Sequence, residues 1–144
     1  MKRIFLLIPL LFALLAFAGC SSADDSDISA SDLEKAQAIA VIDPSGTTLQ
    51  TITDQSAIKD FVAALDVDHW ELIDLPAGAK EVGQFGLSQE KTIHFGEKEH
   101  DDTLYDVAQL TLYDTKTLRT HLLGFNFDFA LPDDAYEYLA AYFA

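Results

Sequence analysis

Apolar residues recur with two distinct periods between residue 36 and the C-terminus. Strict alternation marks strands, and its clearest case is Leu104 to Tyr113. There Ala108, Leu110 and Leu112 share one side, while Val107, Gln109, Thr111 and Tyr113 share the other. In Thr117 to Leu131, the residues Leu123, Phe125, Phe127, Phe129 and Leu131 have one parity, and Gly124, Asn126 and Asp128 have the other. That stretch is long for one strand, and Gly124 predicts a bend that divides it. Shorter strand patterns occupy Gln37 to Asp43, Thr47 to Thr53, Val82 to Ser88 and Lys91 to Phe95.

Helical spacing appears twice. Ile58, Phe61, Val62 and Leu65 form one stripe behind Asp54, a side chain suited to capping the first turn. Ala135, Tyr138, Leu139 and Tyr142 form the second. Pro132 fits its first helical position, and Asp133 and Asp134 suit the positive end of its dipole. Asp43-Pro44-Ser45-Gly46 predicts a hairpin turn between the first two strands, Pro76-Ala77-Gly78 a break, and Asp114-Thr115-Lys116 a second reversal.

Hairpin-linked strands interrupted and closed by helices, without alternating βαβ units, predict an α+β fold. The expectation is a single domain with an antiparallel sheet of about five or six strands and two helices on one face. Phe61, Leu65, Trp70, Phe85, Leu110, Leu112, Phe127, Leu131 and Leu139 are the expected shared core.

The first twenty residues follow a different logic. Met1-Lys2-Arg3 is a short basic start, and Ile4 to Ala18 is apolar apart from Pro9. This is the layout of a secretory signal, too short and interrupted for a stable membrane span. The run Leu14-Leu15-Ala16-Phe17-Ala18-Gly19-Cys20 resembles the lipobox of bacterial lipoproteins, in which small residues precede the cysteine that becomes the lipidated N-terminus. Phe17 departs from the commoner aliphatic residue, but the chain's 1 cysteine stands where the motif needs it. The resemblance implies that Cys20 carries acyl chains such as palmitate, which hold the protein in the lipid bilayer on the extracytoplasmic side of the cell membrane. An ordinary signal peptide cleaved near Ala18 is the alternative, with Cys20 as an incidental thiol.

Ser21 to Asp32 is Ser- and Asp-rich, without aromatic residues or apolar period. It cannot offset its ordering entropy by burial and reads as a solvated tether. The expected organisation is residues 1–19 as lipoprotein signal peptide, 20–35 as lipidated cysteine and acidic tether, and 36–144 as globular domain. With Ile52-Thr53-Asp54, Ile58, Phe61, Trp70, Leu75-Pro76-Ala77-Gly78-Ala79, Leu112-Tyr113-Asp114 and Leu131-Pro132, the domain also resembles small secreted bacterial lipoproteins, chiefly Gram-positive, whose single domain has no assigned activity.

Charge narrows the function classes. Of 144 residues, 9 are Lys or Arg and 24 are Asp or Glu, for a formal net charge of -15. Nucleic acid is excluded as a partner, because neutralising phosphates needs clustered cations. A single cysteine excludes an intramolecular disulfide framework and a thiolate-rich zinc site. No Gly-x-Ser-x-Gly elbow and no Gly-rich phosphate loop occurs, so neither a nucleophilic enzyme nor a cofactor is expected.

The expected function is therefore a non-catalytic binding module of the cell envelope whose partner is another envelope or secreted protein. Its candidate surface is the strand parity facing away from the helices: Tyr105, Val107, Gln109, Thr111 and Tyr113, with Thr92 and His94 nearby. Strand propensity alone also accounts for these residue types. Two alternatives belong to other classes. The His94 to Asp102 loop holds two imidazoles and several carboxylates that suit a small hydrolase or metal-dependent enzyme. Trp70 with Phe125, Phe127 and Phe129 would suit a small-ligand pocket, although a core-facing strand has the same pattern.

Overall fold

The computed structural model describes residues 29–90, 104–122 and 124–144. Three helices, α1 (Ala30–Leu33), α2 (Gln55–Leu65) and α3 (Asp133–Ala140), accompany seven strands. The strands are β1 (Ala38–Ile42), β2 (Thr48–Ile52), β3 (Glu71–Ile73), β4 (Glu81–Glu90), β5 (Leu104–Tyr113), β6 (Thr117–Leu122) and β7 (Phe125–Ala130). All pair antiparallel in one sheet of order β2-β1-β4-β5-β6-β7-β3, so the fold is α+β. Among the described residues, no helix is long and apolar enough to cross a membrane.

Local chemistry explains the element boundaries. The Asp43 carboxylate accepts hydrogen bonds from the Ser45 and Thr47 backbone N–H groups, both at 2.9 Å, and Gly46 takes φ +86° to close the β1–β2 turn. Asp54 caps α2 by accepting from the Ala57 N–H at 2.8 Å. The helix ends at Asp66, which adopts a left-handed φ of 52°. Gly124, at φ +84°, separates β6 from β7 as the sequence predicts. Pro132 stands one place earlier than expected, as the cap preceding α3.

One buried cluster joins all three helices to one side of the sheet. Ile58, Phe61, Val62 and Leu65 of α2, Leu139 of α3 and Leu33 of α1 meet Ile39, Val41, Phe85, Leu87, Leu110, Leu112 and Leu118. The strand register explains the choice of side. Val41, Phe85, Leu110, Thr120 and Phe127 are successive cross-strand partners and therefore share a face.

Three expectations need correction. Among the described residues the sheet has seven strands rather than about five or six, because β3 is three residues long, too short for any alternation to register in the sequence. The domain also begins before residue 36: α1 lies inside the span read as tether, and Leu33 is only 4% exposed in the core. Finally, Phe127 is half-buried rather than a core residue, whereas Trp70, also half-buried, packs against the core cluster as expected. The aromatic side chains of the C-terminal segment crowd toward β4, with Tyr142 and Phe143 at 5.6 and 5.3 Å from Phe85, and β7 is left thinly covered.

Candidate interaction surface

The helix-free side of the sheet carries a row of cross-strand partners running Ile42, Gln84, Thr111, Arg119, Asp128 and Ile73. Beside it runs a second row of Ala40, Gly86, Gln109, His121 and Asn126. Polar side chains on this face bind one another. Arg119 donates to Asp128 through Nε at 2.7 Å and Nη2 at 3.0 Å, a two-point pair that raises the guanidinium pKa above its ordinary value. Its carbon centre stands 5.9 Å from the Tyr113 ring centroid. His121 Nδ1 pairs with Asn126 Oδ1 at 2.8 Å, and Gln109 donates to Gln84, which donates to Glu81 at 2.8 Å.

The expected surface residues divide. Gln109 is exposed, and Val107 and Tyr113 are half-exposed. Thr111 is not available to a partner: at 9% exposure it is enclosed on the strand between Gln84 and Arg119. A bulge also breaks the parity count. Leu87 pairs with Ala108 but Ser88 pairs with Asp106, leaving Val107 without a partner on β4. The alternation that joins Tyr105 to Gln109 is therefore interrupted, and the Tyr105 backbone pairs with Gln89 beyond the bulge. Thr92 and His94 lie outside the described residues, as does the whole His94 to Asp102 loop.

Arg119 and Asp128 escaped the sequence reading, yet the signal exists. Once the chain reverses at Gly124 with Leu122 opposite Phe125, the register sets Arg119 against Asp128 and His121 against Asn126. Opposite charges on one parity of the two arms were the readable clue.

The helix side has its own uncovered part along the β7–β3 edge. Phe127 and Phe129 are half-buried, Phe125 is 67% exposed and Leu72, paired with Phe129, is 70% exposed. Trp70 closes the inner end of this stripe. Its Nε1 donates to the Leu65 carbonyl at 2.7 Å, and its ring centroid lies 5.2 Å from that of Phe129. These rings therefore form an edge stripe instead of a fully enclosed core.

Among the described residues, no three His, Cys, Asp or Glu side chains gather as a metal site. The His69–Asp66 pair, at 2.6 Å on the exterior, raises the imidazole pKa chiefly through its hydrogen bond. In comparisons with known proteins, no protein-family model, no curated protein and no solved structure matches this chain.

Proposed function

We propose that the chain is an extracytoplasmic lipoprotein, held on the cell membrane by acyl chains on Cys20, whose domain is a non-catalytic binding module for another envelope or secreted protein. The observation that carries the binding role is the helix-free face of the sheet. Gln109, His121 and Asn126 are exposed there beside half-exposed Tyr113, and half-exposed Val107 stands at the bulge two residues before Gln109. Tyrosine, arginine and amide side chains held in a fixed array suit recognition of a protein surface, since little side-chain freedom remains to be lost on binding. The anchor rests on the basic start, the apolar run and the small residues before Cys20.

Crosslinking in the native envelope, followed by identification of captured proteins, tests the binding role. Tyr113→Ala and Val107→Asp should remain folded and lose the captured partner. Retention of that partner by both folded variants would remove the helix-free face from consideration. For the anchor, Cys20→Ala should move the protein to the soluble fraction and abolish labelling by a fatty-acid analogue. A variant that stays acylated and membrane-bound overturns that half of the proposal.

A further inference from the structure

The two long edges of the sheet are finished differently, and the β7 side is incomplete. β3 pairs Glu71, Leu72 and Ile73 with Ala130, Phe129 and Asp128, and then the chain turns away. Phe125, Asn126 and Phe127 pair with β6 on one side, and among the described residues no strand pairs with their other side. Backbone N–H and C=O groups left along such a notch favour the addition of an extended segment. The notch also offers apolar contacts. Phe125 at 67% exposure, with half-buried Phe127 beside it, lies on the parity that a paired strand would cover with alternate side chains.

Charge selects the occupant. Residues 66–74, around β3, expose Asp66, Asp68, Glu71 and Asp74, with His69 their only basic side chain and Lys80 following farther along the chain. A second copy of this chain, at a formal net charge of -15, would bring its own carboxylates against these, and anionic lipid headgroups would be repelled as well. We infer that the outer edge of β7 receives an extended segment of a partner protein in which apolar residues alternate with lysine or arginine, continuing the line of β3. Its backbone pairs with Phe125 to Phe127, its apolar side chains cover the two phenylalanine rings, and its cations gather beside Asp74, the residue that follows β3. This site is separate from the helix-free face and does not depend on the lipid anchor.

The test uses the intact chain in a neutral detergent, titrated with a short synthetic peptide alternating valine and lysine. Calorimetry reads binding, and fluorescence of Trp70, the 1 tryptophan, reads its location at the stripe. The expected result is saturable binding with a change in Trp70 emission, weakened about tenfold or more by Phe125→Ser and by Asp74→Asn with unchanged melting temperature. The control Gln109→Ser on the opposite face should bind as the parent does. The proposal is overturned if the peptide does not bind, or if a valine–glutamate peptide or one with its valines and lysines in separate blocks binds equally well. Loss of binding in Gln109→Ser alone overturns it too, as does concentration-dependent self-association that Phe125→Ser abolishes.

Discussion

The Phe143 ring occupies the space in which a β-carbon on Gly83 would stand, with its Cε1, Cζ and Cδ1 atoms crowded onto that position. Gly83 pairs with Leu112 next to a bulge in β4, and Phe143 belongs to the short turn of helix that follows α3. The C-terminal residues are thereby locked onto the centre of the sheet, where Phe143 also meets Phe85 edge-on at 5.3 Å. Gly83→Ala should cost roughly 1–3 kcal/mol, because a methyl group is forced into filled space. In Gly83→Ala/Phe143→Ala the new methyl enters vacated space, and the pair should cost less than the two single changes added together. Chemical denaturation of the four proteins checks this, and strict additivity would mean that the ring and the glycine do not meet.

Core depth should separate the phenylalanines sharply. Phe61 is fully buried, within 5.1 Å of Phe85 and about 6 Å of two tyrosine rings, so Phe61→Ala should cost about 3–5 kcal/mol. Phe125→Ala removes a side chain that is 67% exposed and should change stability by no more than about 0.5 kcal/mol. Phe127→Ala should fall between them. Thermal melts of the three variants in one buffer give the ranking, and equal losses at Phe61 and Phe125 would contradict the burial described here.

These three residues also show what periodicity can and cannot reveal. The helical stripe of Ile58, Phe61, Val62 and Leu65 and the alternation of Ala108, Leu110 and Leu112 each identified a buried face, because one side of each element meets the same core. Phe125, Phe127 and Phe129 alternate just as cleanly, yet their burial depends on how far the helices extend over the sheet. That is a tertiary fact with no local signature. Val107 shows a related limit: a bulge adds one residue to a strand without altering the local composition, so parity counted through it loses its meaning. β3 was invisible because three residues carry no period, and its place beside β7 is fixed by α2 carrying the chain from one edge of the sheet to the other.

The β1–β2 turn should respond to acid through one carboxyl group. A hydrogen bond from the Ser45 hydroxyl at 2.6 Å, followed by one from the Thr47 N–H, holds Asp43 below its ordinary value of 3.8. A depressed folded pKa contributes stability above the unfolded value, and that contribution is lost as pH falls through the folded value. The turn should therefore keep its hydrogen bonds down to pH 3.8 and loosen only below it. A carboxyl-carbon NMR titration should place the Asp43 midpoint under 3.8, and Ser45→Ala should move it back toward that value. An unchanged midpoint in Ser45→Ala would show that the hydroxyl does not hold the carboxylate.

The end of α2 depends on a side chain beyond the helix. The last carbonyls of any helix lack partners within it, and that of Leu65 accepts its hydrogen bond from Trp70 Nε1 at 2.7 Å. The same indole lies against Phe129 with its plane tilted by 42°, so Trp70 links the helix terminus to β7 across the thinly covered end of the core. Trp70→Phe keeps an aromatic ring against Phe129 but removes the donor, and it should cost about 1 kcal/mol. Trp70→Ala removes the ring as well and should cost roughly 2 kcal/mol or more, limited by the half-buried position of the side chain. Hydrogen exchange discriminates between the two contributions: in Trp70→Phe the faster exchange should be confined to the last turn of α2, whereas in Trp70→Ala it should reach β7. If Trp70→Phe leaves both stability and exchange unchanged, water replaces the indole at the Leu65 carbonyl without loss, and the ring contact with Phe129 alone joins the helix to the strand.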